Sequence, residues 1–286
     1  MPYAWHAHPD VWLLIAGLLG GYFWALHRFG PRHTAAGQPV ATGLQKACWI
    51  SGVVTLWVAA DWPVHDLSER FLYSVHMTQH LLLMLVAPPL LLLGTPAWLA
   101  RELLAPPRLY RVVRRLARPM PALILFNGLT VVAHWPAFVD ATLGSEWLHF
   151  ATHAALFGSA LLMWCPVAAP LPELRPLTPP AQMLYLFLQS IVPTVPASFL
   201  VFADRPIYHF YEHVPRLWGL SAGEDQRIAG LLMKLGGGLL LWMVIAVLFF
   251  KWHAAEEEND RQARHWRALE RELDQGQKTD PMRWTG

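Results

Sequence analysis

The sequence is poor in charged residues and almost free of cysteine. Only 15% of its 286 residues are Asp, Glu, Lys or Arg, whereas a soluble globular domain carries about 25%. Two cysteines are too few for a disulfide scaffold, and 55% hydrophobic residues are too many for a disordered chain. The sequence also lacks a nucleophile beside an acid–base pair and a nucleotide-binding loop, so we expect no enzyme. These shortages favour a polytopic membrane protein.

The sequence contains several long runs of apolar residues. Seven runs approach the roughly 20 residues that a membrane-spanning helix needs. The 15 tryptophans are suited to the two interfaces of a membrane. The predicted fold class is therefore all-α, a bundle of seven transmembrane helices. The runs lie at 11–28, 44–60, 71–93, 120–138, 147–169, 180–203 and 227–250.

The distribution of basic residues predicts an orientation. With the N-terminus outside, 17 of the 22 lysines and arginines fall in inner segments and four in outer segments. Short loops rich in these residues stay on the cytoplasmic side, so the N-terminus is predicted outside and the C-terminus inside. Residues 1–255 would form the domain that spans a bacterial cytoplasmic membrane, and residues 256–286 a charged cytoplasmic tail. A basic stretch near 108–118 is predicted to be a helix that lies on anionic membrane lipids.

Histidines are concentrated at one predicted face. Ten of the 14 fall at the outer face, and two HxxxH pairs lie in different spans, His76/His80 in the third and His149/His153 in the fifth. Residues four apart on a helix share a face, with side chains about 5–6 Å apart. That separation lets two imidazoles reach one ion. The two pairs at one depth therefore predict a metal site.

Other side chains are weaker candidates. His134, near the outer end of the fourth span, should lie at the depth of the second pair, and Met84 extends the stripe of the first. His209 and His213 form a third HxxxH pair in an outer loop, and their role stays open. Lys234, in the seventh run, could pair with Asp61, line a polar cavity or snorkel to the surface.

The donor set favours copper. Imidazole and thioether ligands without a cysteine at the same face suit copper, here as Cu(I), and polar groups within the hydrocarbon region mark function by default. A membrane redox protein that holds one haem b through two of these histidines is an alternative. A copper or small-ion permease is another, but no row of ionisable groups crosses to the inner side.

Three segments carry a further pattern. They are HMTQHLLLMLVAPPLLLLGTP (His76–Pro96), HFATHAALFGSALLMWCPV (His149–Val167) and DQRIAGLLM (Asp225–Met233). In this order they resemble the CtaG family of membrane-integral cytochrome c oxidase assembly factors. The resemblance extends over most of residues 10–250.

The resemblance implies a function. It implies a seven-span protein needed for the assembly of haem-copper oxidases, with a proposed role in copper supply. It implies His76, His80, His149 and His153 as the copper ligands. The expected partners are the catalytic subunit of cytochrome c oxidase, a periplasmic copper donor and membrane lipids, and no nucleic acid is expected.

Overall fold

The computed structural model describes residues 5–35 and 37–279, and this part of the chain is helical and contains no strand. Six helical segments are long and apolar enough to cross a membrane, and a bent helix pair raises the number to seven if it forms one span. The prediction of an all-α protein with several spans is confirmed. The side of the membrane on which each end lies stays a prediction.

Fourteen helices are numbered in chain order within the described residues. They are α1 (Pro9–Arg28), α2 (Gly43–Ala60), α3 (Val64–Arg70), α4 (Tyr73–Gly94), α5 (Ala97–Leu103), α6 (Pro107–Leu116), α7 (Pro119–Ala133), α8 (Pro136–Leu143), α9 (Glu146–Ala168), α10 (Pro179–Ile191), α11 (Thr194–Phe202), α12 (His209–His213), α13 (Ala222–Leu231) and α14 (Gly237–Thr279). A π-helical turn, Leu82–Val86, lies inside α4, and a second one, Leu232–Gly236, joins α13 to α14.

The fourth apolar run, 120–138, is not one helix. Helix α7 ends at Ala133, and α8 begins at Pro136. The backbone of Trp135 is extended, with ψ of 128°, because the ring of a following proline disfavours helical backbone. The basic stretch forms α6, which meets α7 at an angle of 79°. Its predicted place on a lipid leaflet stays a prediction.

The seventh run continues into the charged region. Helix α14 runs without a break from Gly237 to Thr279, past the predicted boundary at residue 255. The division into a transmembrane domain and a tail is therefore not marked by a turn, and it stays a prediction. Residues 280–286 of that predicted tail lie outside the described residues.

Helix α4 is packed tightly between its neighbours. A Cβ atom at Gly94 of α4 would lie 2.5 Å from the backbone nitrogen of Trp49 in α2, so the two helices touch where a side chain has no room. On the α9 side, the indole Nε1 of Trp164 donates to the carbonyl of Met84 over 3.1 Å. That carbonyl is available because Pro88, four residues later, has no N–H. These contacts fix α4 between α2 and α9.

The beginning of α4 is capped by α13. Asp225 is only 1% exposed, and its carboxylate accepts hydrogen bonds from the backbone N–H groups of Tyr73 and Ser74 at 2.7 and 3.1 Å. The hydroxyl of Ser74 also donates to it. The first N–H groups of a helix have no partner within the helix, so this carboxylate takes the place of a local cap. It thereby fixes the turn that carries His76.

We expect Asp225→Ala to lower the free energy of unfolding. Loss of a capping side chain costs about 1–2 kcal/mol, and the freed N–H groups would be buried. The exposed Asp204 offers a matched control, and Asp204→Ala should change stability little. The measurement is thermal unfolding of the purified proteins in detergent. Equal melting temperatures for the two variants would contradict the capping role.

Candidate metal centre

The structure brings the two HxxxH pairs together. His76 and His80 on α4 face His149 and His153 on α9. Ring centroids lie 4.3 Å apart within each pair, 4.8 Å between His80 and His153, and 5.7 Å between His76 and His149. His153 Nε2 is 2.8 Å from His149 Nε2 and 3.2 Å from His80 Nε2. These four residues are called the four-histidine cluster below.

The cluster fits a metal ion. One ring nitrogen from each of His76, His149 and His153 lies within 4.8 Å of the other two. Two nitrogens bound at about 2.0–2.1 Å to one tetrahedral ion are about 3.3 Å apart, and the two nitrogen separations around His153 are 2.8 and 3.2 Å. Nδ1 of His76 and of His80 is buried without a hydrogen-bond partner in the described chain. Buried polar atoms are nearly always paired, so these imidazoles are suited to a ligand.

Glu69 orients one of the four histidines. Its Oε1 lies 2.6 Å from His149 Nδ1, so Nδ1 carries a hydrogen and donates a hydrogen bond to the carboxylate. A neutral imidazole has one proton, and the lone pair on His149 Nε2 then faces the cluster. Metal-binding histidines are commonly held by a carboxylate in this way. Sequence reasoning missed Glu69; its spacing of four residues from His65 on α3 was the available signal.

His134 lies next to the cluster. Its ring centroid is 6.1 Å from that of His80, its Nδ1 donates to the carbonyl of Thr130 at 2.7 Å, and its Nε2 is buried without a partner in the described residues. The hydroxyl of Tyr208 donates to the carbonyl of His134, and burial raises the pKa of Tyr208 to about 12. Tyr208 therefore keeps its proton and remains the donor to this carbonyl. Because Nδ1 of His134 is the donor to Thr130, its Nε2 has a lone pair that no described residue uses.

Met84 and Lys234 lie near His80. Both line a cavity of about 50 Å³, which His80 and His134 also line. Met84 is buried in the π-helical turn of α4, whereas Lys234 is exposed. Met77 and Met233 also line this cavity. The predicted stripe of His76, His80 and Met84 therefore ends at a cavity that three methionines help to line.

The third HxxxH pair hydrogen-bonds within its own helix. His209 pairs with Glu212 at 3.2 Å, and the Nδ1 of His213 donates to the carbonyl of His209 at 2.8 Å. The side chain of His209 is 80% exposed. These residues are therefore a suitable control pair for experiments on the cluster.

The fold and the cluster together define a class, a polytopic helical membrane protein with a buried histidine site. The family model for the cytochrome c oxidase caa3 assembly factor (Caa3_CtaG) matches residues 20–255, and the chain belongs to this family. The resemblance found in the sequence is confirmed.

Two further comparisons give less information about the chain. An uncharacterized protein of Mycobacterium leprae (strain TN), ML1998, is 26% identical over 239 residues, which are 75% of this chain and 36% of that protein. The chain thus spans about a third of the length of this curated relative. No solved structure matches the chain.

Proposed function

We propose that the protein binds copper, as Cu(I), through the four-histidine cluster and supplies it to the catalytic subunit of a haem-copper cytochrome c oxidase. The observation that carries this proposal is the convergence of four largely buried imidazoles in a member of an oxidase assembly family. Copper is then the cargo of the protein, and no chemical reaction is required of it.

The donors around the cluster favour copper among the metals of the first row. Imidazole is a suitable ligand for copper, and thioethers select Cu(I). Met84 and His134 line the adjoining cavity and are the next candidates as ligands. Glu69 contacts Nδ1 of His149. The other ring nitrogen, Nε2, therefore stays available to bind the ion.

The location of the cluster supports transfer to a membrane partner. The copper centre of an oxidase's catalytic subunit is buried in the bilayer, and a donor with spans of its own can present the ion beside the partner's helices. An ion bound by several imidazoles can move to a partner by exchanging one ligand at a time. His153, which is only half-buried, is the most accessible of the four. We place the cluster at the outer face of a bacterial cytoplasmic membrane, where a periplasmic donor would load it.

Haem b is the second candidate, and the packing favours an ion over it. Within the cluster the rings are 4.3–5.7 Å apart, and the cavity beside His80 has about 50 Å³. Pockets for small organic ligands have roughly 300 Å³ or more. Metal analysis and a visible absorption spectrum of the purified protein test this. We expect stoichiometric copper and no Soret band, and a strong Soret band without copper would contradict the proposal.

Glu69→Gln should weaken copper binding by about 10- to 100-fold, the usual effect of removing the hydrogen-bond partner of a metal-binding histidine. The amide keeps the shape of the side chain but removes its charge. The matched control is Glu212→Gln, which alters a carboxylate–histidine pair outside the cluster. The measurement is competition for Cu(I) against a chelator of known affinity. Equal affinities of wild type and Glu69→Gln would show that Glu69 does not support the site.

A further inference from the structure

Five arginines on and next to α6 line one hollow in the surface. The hollow has a volume of about 820 Å³, and Val112 is the one other residue that lines it. The arginines are all exposed, and they are Arg108, Arg111, Arg114, Arg115 and Arg118. These five residues are called the arginine hollow below. Residues 108–118 therefore place five positive charges together on the surface.

The arginine hollow has no counter-charge in the described part of the chain, where no carboxylate pairs with any of its members. The nearest acidic residue in the sequence, Glu102, lies 3.3 Å from His33. Arg111 donates to the carbonyl of Pro107 in its own helix. Neighbouring arginines of the hollow are three or four residues apart, and like charges at this spacing destabilise a helix. An anion bound in the hollow would reduce this repulsion.

Packing against the protein fixes the orientation of α6. Val113 packs against a buried cluster that includes Ala117 and Cys165, and Ala117 is only 1% exposed. Tyr110 and Leu116, three residues before and after Val113, are half-buried as well. The arginines therefore lie on the exposed part of a helix whose rotation is fixed, and they are already together before a ligand arrives.

The arginine hollow is chemically suited to phosphate groups, because a planar guanidinium can bind two phosphate oxygens through parallel N–H donors. The surroundings favour lipid phosphate over a free phosphate compound. Helix α7 is apolar and meets α6 at 79°, so with α7 in the apolar layer α6 runs along the membrane surface. Leu109 and Val112, beside the arginines, are 44% and 54% exposed. Exposed apolar side chains next to basic ones match a lipid, whose acyl chains adjoin its charged headgroup.

We propose that the arginine hollow is a binding site for the phosphate groups of anionic phospholipids. A bound headgroup neutralises the clustered charge, and the acyl chains cover Leu109 and Val112. The site is distinct from the general attraction of a basic segment to an anionic leaflet, because it depends on particular arginines held in one place. It does not involve the four-histidine cluster and is independent of the proposed function.

The first test measures lipid binding by the full-length protein in a neutral detergent. Fluorescent phosphatidylglycerol and phosphatidylcholine are titrated separately, and anisotropy gives the bound fraction. Wild type should bind phosphatidylglycerol at least 30-fold more tightly than phosphatidylcholine. Arg111→Gln/Arg115→Gln should bind phosphatidylglycerol about 30-fold more weakly than wild type, because each basic residue near an anionic lipid surface contributes about fivefold.

The matched control for this titration is Arg267→Gln/Arg271→Gln. It removes two exposed arginines at the same spacing from the charged end of α14, and it should bind phosphatidylglycerol like wild type. Equal affinities of wild type for the two lipids would overturn the proposal. So would an equal loss of affinity in the two variants, because the net charge and not the hollow would then bind the lipid.

The second test separates lipid binding from a structural role of the arginines. Phosphatidylglycerol should raise the melting temperature of wild type and of the control, but hardly that of Arg111→Gln/Arg115→Gln. Without the lipid, this variant should melt at the same temperature as wild type or higher, since two repelling charges are gone. A lower melting temperature without lipid would show that the arginines support the fold, and it would overturn the proposal.

The third test distinguishes a lipid headgroup from a free phosphate compound. Inorganic pyrophosphate is added to wild type that has bound fluorescent phosphatidylglycerol. We expect it to displace the lipid only at a concentration at least 100-fold above that of the lipid, because pyrophosphate has no acyl chains to contact Leu109 and Val112. Displacement at an equal concentration would assign the hollow to a soluble phosphate compound and overturn the assignment to lipid.

Discussion

Oxidase made in cells that carry the His76→Ala/His80→Ala variant should contain haem but too little copper. Both imidazoles contribute to the four-histidine cluster, and their loss removes the α4 side of it. Alanine favours helix, so α4 should still form and the protein should still reach the membrane. The measurement is metal analysis and haem spectroscopy of the purified oxidase, with the amount of the variant in the membrane checked in parallel.

The control for this experiment is the variant His209→Ala/His213→Ala, which alters an HxxxH pair that hydrogen-bonds within its own helix. Oxidase from these cells should carry its normal copper. The host must have no other copper donor for the oxidase. Under that condition, a fully copper-loaded and active oxidase in the His76→Ala/His80→Ala strain would rule out delivery through the cluster.

Purified protein with His149→Ala and His153→Ala should bind Cu(I) more than about 100-fold more weakly than wild type. Losing only the hydrogen-bond partner of a metal-binding histidine costs about 10- to 100-fold, and this variant loses two ligands themselves. His153 is central, because its Nε2 is close to nitrogens of both His149 and His80. The measurement is chelator competition in detergent.

The same exposed pair, His209 and His213, provides the control for this titration, and its double alanine variant should bind like wild type. The melting temperature of each variant shows whether the fold is intact. A folded His149→Ala/His153→Ala protein with unchanged affinity would place the copper elsewhere in the chain.

The helical architecture could be predicted from the sequence because it depends on short-range patterns. Apolar runs of about 20 residues mark spans, and the spacing of four residues put each histidine pair on one face of its helix. That α4 and α9 present these faces to each other was expected from equal depth and from the family resemblance. Their centroid distances follow from packing, such as the bond from Trp164 to Met84, which no pattern in the sequence encodes.

Two other interactions between distant segments could not be predicted. Glu69 acts on a histidine 80 positions later in the chain, and Asp225 caps a helix about 150 residues earlier. Neither residue stands out in its own segment, because a single carboxylate near a helix end is common. The break at His134 was missed for a different reason. The apolar run continues across it, and only Pro136 marked the change of direction.

The most direct test of the central claim locates the metal itself. A structure of the full-length protein loaded with Cu(I), with anomalous scattering recorded at the copper absorption edge, gives the position of the ion independently of any variant. We predict one strong peak among the ring nitrogens of His76, His80, His149 and His153, at about 2.0–2.1 Å from those that bind it. A copper-loaded protein whose anomalous peak lies elsewhere, with these four imidazoles free of metal, would contradict the account.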